Sequence, residues 1–208
     1  MNCNVKIITK NLANRLQEVI TSLIHKNQYG FIKGRSIQDC LAWALELTHR
    51  CKSSRHESII LKLDFKKAFD TIEHSTILLM MTQLGFPSKW INWIRLLSSG
   101  FSSVLLNGSS GKFFHCKRGV RQGDPLSPLL FVLAADLLQH IINRAARLHV
   151  IQGPKCHPDD LDFPIAQYAD DTIIFLHADQ NTSSIYVGFS TPPSPRGLGS
   201  IYLNLPSF

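Results

Sequence analysis

A run of β-prone apolar residues, Ile59, Ile60, Leu61 and Leu63, ends on a carboxylate, Asp64. The span Ser58 to Asp64 reads as a strand. A carboxylate at the end of a buried strand costs free energy unless it is paired, hydrogen-bonded or metal-bound. The same problem recurs late in the chain. Pro164 to Leu176 reads as two short strands around Ala169-Asp170, a tight hairpin whose tip carries Asp170 and Asp171. Taken singly, Asp64 reads as a surface strand end and Asp170-Asp171 as an acidic turn. Placed together, three carboxylates repel one another unless a cation lies among them. Two Mg²⁺ ions about 3.5–4 Å apart resolve that conflict and stabilise both oxygens of an in-line phosphoryl transfer.

The rest of the pattern interleaves helices and strands without a regular β-α-β repeat, which predicts an α+β fold. Ile8, Leu12, Leu16, Val19 and Leu23 recur at helical spacing over residues 5–26. Basic, periodic residues from Lys6 to Arg15 also resemble a mitochondrial presequence, but the helix reading is preferred. A second helix is expected over Ile37 to Cys51, with Leu41, Ala44, Leu45 and Thr48 on one face. Ser75 and Ser88 can cap two more. Trp90 and Trp93 sit at helical spacing there, a pattern commoner in cores than in base-stacking sites. Asn107-Gly108 between apolar runs predicts a hairpin. Ser127-Pro128 marks the start of a helix running to about His149.

The chain has 208 residues and a formal charge of +7. That balance favours a polyanionic partner, because Lys and Arg near phosphates release counterions. Five cysteines without a C-x-x-C pair argue against a disulfide framework or a zinc knuckle and for a reducing compartment. Cys156-His157 with Asp159 reads as a polar loop, since no second ligand pair has metal spacing. No apolar run reaches membrane-spanning length; the longest, Leu126 to Leu138, is broken by Ser127, Pro128 and Asp136, so no membrane partner is expected. Residues 181–208 are rich in Ser, Pro and Gly and read as a divergent, disordered tail.

Four motifs in order carry a resemblance. Asp64-Phe65-Lys66-Lys67-Ala68-Phe69-Asp70 resembles the first catalytic motif of reverse transcriptases from retrotransposons without long terminal repeats (the long interspersed element type). Tyr168-Ala169-Asp170-Asp171 resembles their Y-x-D-D motif. Arg118-Gly119-Val120-Arg121-Gln122-Gly123-Asp124-Pro125-Leu126-Ser127-Pro128 is similar to their dNTP-site motif. Asn27-Gln28-Tyr29-Gly30-Phe31 with Gly34-Arg35-Ser36 resembles their fingers motif. The resemblance covers roughly residues 5 to 180.

It implies a right-hand polymerase palm with partial fingers, an antiparallel sheet packed on helices, and a missing thumb. Residues 1–57 would be partial fingers and 58–180 the palm. It implies RNA-directed DNA polymerase activity with two Mg²⁺ (or Mn²⁺) ions, an RNA template, a DNA primer and dNTPs. Asp64 and Asp170 would bind both metals, with Asp171 assisting. Phe65, Phe69, Gln122, Gly123 and Arg35 would border the nucleotide, Phe69 excluding a 2′-hydroxyl and Arg35 reaching the phosphates. Lys66, Lys67 and Arg121 would meet nucleic acid, although solvated surface lysines explain Lys66 and Lys67 equally well. Asp70 and Asp124 read as turn or cap residues. Such elements copy themselves at nuclear DNA, which implies a nuclear site; no localisation signal is seen. Three readings stay open: a polymerase domain, an inactive remnant of an inserted element, and a non-catalytic RNA-binding derivative.

Overall fold

The apolar run that ends on Asp64 is a strand in the middle of a sheet, and the elements around it explain why. A computed structural model describes residues 3–54, 56–65, 67–157, 162–178 and, for the backbone only, 198–205. The helices are α1 (Cys3–Leu23), α2 (Ile37–Ser53), α3 (Ala68–Thr71), α4 (His74–Gln83), α5 (Ser88–Ser98) and α6 (Ser127–Arg147). The strands are β1 (Ser58–Phe65), β2 (Phe101–Ser102), β3 (Leu105–Leu106), β4 (Ser109–Ser110), β5 (Phe114–His115), β6 (Ile165–Tyr168), β7 (Asp171–His177) and β8 (Leu198–Leu205). The chain forms two compact units that interleave along the sequence. One comprises residues 1–19, 67–134 and 207–208; the other comprises 20–66 and 135–206.

The second unit holds a four-stranded sheet of order β6-β7-β1-β8. β1 runs antiparallel to β7, with Ser58 opposite His177 and Leu63 opposite Thr172. Alternation along the strands sends side chains to opposite faces. On one face Ile59, Leu63, Ile165, Ile174 and Leu176 form a buried cluster with Phe163, against which Leu138, Ile142 and Ala146 of α6 pack. On the other face Ala166 and Phe175 meet Ala44, Leu47 and Cys51 of α2. Trp43 places its ring edge on Phe175, at 5.9 Å between centroids and 84°. Each large apolar side chain so buried contributes about 1.5–3 kcal/mol.

Ser36 starts α2. Its Oγ accepts from the Asp39 amide (3.2 Å) and donates to Asp39 Oδ2 (2.7 Å), a reciprocal cap. The buried stripe of α2 differs from the expected one. Leu41 and Leu45 are exposed while Ala44, Leu47 and Cys51 are buried. The face packed on the sheet is rotated from the expected one: it keeps Ala44 and adds Leu47 and Cys51, with Cys40 and Trp43 packed beside them. Similarly, α1 buries Leu12, Leu16 and Ile20, with Ile24 buried just past its end, and exposes Ile8 and Val19. Steps of four hold its inward face.

The tail needs a partial correction. Residues 198–205, expected to lie outside regular structure, form β8, which runs parallel to β1 from Ser58↔Leu198 to Phe65↔Leu205. Within it Ile201 and Tyr202 are β-prone and Leu203 and Leu205 are apolar. Averaging them with a Ser- and Pro-rich segment hid the signal. Residues 181–197 lie outside the described residues.

In the first unit α4 and α5 pack on each other. They bury Ile77, Met80 and Met81 on one helix and Trp90, Ile91 and Ile94 on the other. Neither helix uses the expected serine cap: Glu73 and Pro87 precede them without a capping side chain. Arg15 of α1 lies over Trp90 at 5.3 Å and Trp93 at 6.0 Å, a cation–π pair. The β3–β4 turn is Asn107 (φ 50) and Gly108 (φ 80), both left-handed as a type I′ hairpin requires. α6, at 21 residues, is by length and composition apolar enough to cross a membrane, against the expectation of no such run. Leu129 to Ala134 are all buried, and so are the polar Asp136 and Gln139.

Candidate active site

Strand register brings the second unit's carboxylates together. Leu63↔Thr172 is the last β1–β7 pair given by the ladder, and the next residues on those strands are Asp64 and Asp171. On the neighbouring pair Tyr168 faces Asp171, and Ala169-Asp170 closes the turn. All three carboxylates therefore sit at one end of one sheet. Alternation puts Asp64 and Asp171 on the α2 side, with Lys62 between them and the core. Lys62 Nζ lies 3.4 Å from Asp171 Oδ1. Asp64 and Asp171 are exposed and Asp170 is half-buried. Oxygen donors of this kind suit a hard divalent cation. Among the described residues no three acid, imidazole or thiol side chains yet stand close enough to share an ion.

Phe65 packs its ring on the apolar cluster of the α6 side. Arg35 does not point into open space. Its Nη1 donates to the carbonyls of His25 and Gln28, both at 2.6 Å, and its Nη2 to those of Thr21 and Ile24, both at 3.2 Å. The fork thus ties carbonyls at the end of α1 to those of the loop that follows it. Lys66 lies outside the described residues.

The first unit holds the remaining sequence candidates. Segment 117–120 runs along 69–74: Gly119 N–H donates to Ile72 O and Val120 N–H to Phe69 O, each at 2.8 Å. His74 Nε2 lies 2.8 Å from Gly119 O, and Arg118 pairs with Glu73 at 2.7 Å. The Phe69 ring stacks on Phe131, 4.2 Å apart and 14° from parallel. Gln122 Nε2 donates to Asp70 Oδ1 at 3.2 Å, so Asp70 orients a glutamine. Gly123 has φ 78 with open space beside it. Arg121 donates to Leu97 O at 2.9 Å, at the end of α5. Lys67 is exposed, with φ 51. Asp124 Oδ1 accepts from the Leu126 amide at 3.0 Å, a turn role. Asp70, His74, Gly119, Arg121 and Asp124 line part of a cavity of about 250 Å³.

Gly119 is the hinge of this arrangement. It has φ +83, and a Cβ there would meet Asp70 O at 2.7 Å. Gly119→Ala is expected to destabilise the chain by about 1–3 kcal/mol, from left-handed strain plus the clash. The midpoint of urea unfolding measures it; an unchanged midpoint would mean that the segment does not lie against Asp70.

One polar cluster was not singled out from sequence, although an aspartate inside the apolar run 126–138 was its visible sign. Asp136 is fully buried. Its Oδ1 accepts from the His25 amide at 3.0 Å; its Oδ2 lies 3.5 Å from His140 Nδ1 and has no hydrogen-bond partner among the described residues. Burial raises its pKa above the ordinary value, opposed by the His25 amide, His140, His25 and Arg35. A carboxyl with a raised folded pKa contributes its full stability below the unfolded value, about 4, and loses it as pH rises through the folded value. Asp136→Asn should therefore flatten the decline in stability above pH ~4. Unfolding midpoints at several pH values check this, and parallel profiles for the two proteins would refute it.

Comparison with known proteins gives the chain's family. Residues 1–190 match the family described as Reverse transcriptase (RNA-dependent DNA polymerase). The chain belongs to the reverse transcriptase family. Its relatives are polyproteins of retrotransposons without long terminal repeats. It is 29% identical over 174 residues to the Pol polyprotein of the type-1 retrotransposable element R2 of Popillia japonica, covering 81% of this chain and 23% of that protein. It is 27% identical over 175 residues to the Transposon TX1 uncharacterized 149 kDa protein of Xenopus laevis, covering 84% and 13%. The chain thus spans under a quarter of the length of these curated relatives. This reverse transcriptase domain also resembles a solved telomerase from Candida albicans, with a TM-score of 0.52 at 13% identity over 88% of this chain and 31% of that one. That likeness concerns the fold: α+β, a palm with part of its fingers.

Proposed function

We propose that this reverse transcriptase domain adds dNTPs to the 3′-hydroxyl of a DNA primer on an RNA template, releasing pyrophosphate. The observation that carries the reading is the strand register that sets Asp64, Asp170 and Asp171 at one end of the sheet. Asp64 and Asp170 are the residues to hold two Mg²⁺ or Mn²⁺ ions, with Asp171 assisting. When bound, such ions lower the pKa of the attacking hydroxyl and offset charge on the triphosphate. To meet there, the three carboxylates rotate together at their strand ends and Asp171 leaves Lys62.

The other roles follow the family motifs. Phe69 lies under the deoxyribose and rejects a 2′-hydroxyl. Phe65, Gln122 and Gly123 border the nucleotide. Arg35 reaches phosphate only by giving up backbone carbonyls; otherwise it serves the fold. Lys66, Lys67 and Arg121 contact the nucleic-acid backbone. Sequence is read by base pairing, and binding weakens with salt as phosphate contacts release counterions. Residues 1–57 act as partial fingers and 58–180 as palm.

The Lys62–Asp171 pair and the engaged Arg35 favour a second reading, a non-catalytic RNA-binding derivative of the fold. Primer extension on an RNA template separates the two. The polymerase extends the DNA primer with dNTPs and Mg²⁺ or Mn²⁺, and a chelator stops it. A folded sample that binds RNA in chelator and never extends the primer supports the binding derivative instead.

A further inference from the structure

The fingers-like segment Asn27–Gly30 lies along the outer edge of β6, on the hairpin that carries Asp170. Gln167 N–H donates to Asn27 O at 2.9 Å and Tyr29 N–H to Gln167 O at 2.8 Å, a parallel bridge one strand beyond β6. From there the Gln28 side chain reaches the turn. It is completely buried. Its Oε1 accepts from the amides of Ala169 and Gly30, both at 2.9 Å. Its Nε2 donates to Ala169 O at 3.3 Å.

Ala169 is an unusual residue to find at that point. It has φ 57, a left-handed conformation that L residues other than glycine occupy at a cost. It is also buried, so both of its peptide groups need partners. A primary amide has one carbonyl and one NH₂, the same complement as a strand neighbour. Gln28 thus does for the turn what another strand's backbone does elsewhere in a sheet. The approach is close: a Cβ on residue 30 would collide with the Ala169 nitrogen. Asn27 anchors the segment from behind, its Nδ2 donating to Gln139 Oε1 at 3.3 Å and Phe163 O at 3.4 Å.

We propose that Gln28 is a positioning residue: by clamping both polar groups of Ala169 it fixes the turn that aims Asp170. Gln28 touches no substrate and acts only through the hairpin. Its consequence for catalysis rests on the polymerase reading above, whereas the clamp itself does not.

The test uses the full chain and two variants. Gln28→Ala removes the amide and its volume. Gln28→Met keeps the volume and removes the hydrogen bonds, so it stays informative where the alanine variant misfolds. Amide hydrogen exchange without metal should show protection at Ala169 and Gly30 falling by about tenfold or more. Protection at Leu47 and Phe175 should stay unchanged. Mn²⁺ binding should weaken, and kcat for nucleotide addition should fall with little change in the KM for template–primer. Unchanged protection at Ala169 overturns the proposal. Protection lost equally throughout the Met variant overturns it too, because Gln28 is then an ordinary core residue. If the unmodified chain extends no primer, the polymerase reading falls, while exchange at Ala169 still decides the clamp.

Discussion

Asp170→Asn is expected to lower primer extension by roughly 10³-fold or more while leaving affinity for RNA nearly unchanged. The size follows from the several kcal/mol that a bound metal contributes to a phosphoryl transition state, at about 1.4 kcal/mol per factor of ten. The selectivity follows from the position of Asp170. It is half-buried at the tip of the β6–β7 turn, and its carboxylate makes no hydrogen bond or ion pair among the described residues. An amide of the same shape therefore breaks no hydrogen bond or ion pair among the described residues, and removes the charge and a metal-binding oxygen. Asp171→Asn is a useful contrast, because it also breaks the ion pair with Lys62. That pair is exposed on both sides, and such pairs contribute about 0–1 kcal/mol. Single-nucleotide addition rates, with RNA binding measured in parallel, decide the matter. Extension at the unmodified rate by Asp170→Asn would sink the polymerase assignment.

How far the sequence could be read depends on whether a signal was local. β1 and the β6–β7 hairpin were legible because a short β-branched run and a two-residue turn need no knowledge of distant partners. Their mutual placement was not. Nothing near residue 63 indicates that it pairs with residue 172, and the family resemblance supplied that link. The stripe of α2 was misread because Leu41 and Leu45 are as apolar as Ala44 and Leu47. Only the partner sheet, through Ala166 and Phe175, decides which of these faces turns inward. Arg35 shows the same limit at the site. Its type suits a phosphate, but in the structure its guanidinium donates to backbone carbonyls around the end of α1. Gln28 was visible in a motif, yet its task depends on a residue 141 positions away. Short polar side chains that finish a distant backbone leave no periodic trace.

Phe69→Ala is expected to raise incorporation of ribonucleotides relative to deoxyribonucleotides by on the order of 100-fold, the range in which a small steric difference discriminates substrates. The argument begins with the rigidity of the ring. Phe69 is half-buried and stacked on Phe131, so it does not swing aside to admit a hydroxyl. The backbone beneath it is tied as well, because Phe69 O accepts from the Val120 amide. Sterics can discriminate only when the wall cannot yield, and this wall is held from two sides. Two further variants separate exclusion from damage. Phe69→Tyr keeps the ring and should keep the selectivity. Phe131→Ala leaves Phe69 in place but removes its backing, and should give an intermediate loss. The quantity to compare is kcat/KM for a ribonucleotide against that for its deoxy counterpart, because a general loss of activity cancels in the ratio. If that ratio is the same for Phe69→Ala as for the unmodified chain, Phe69 is a packing residue of its unit, and sugar selection lies elsewhere.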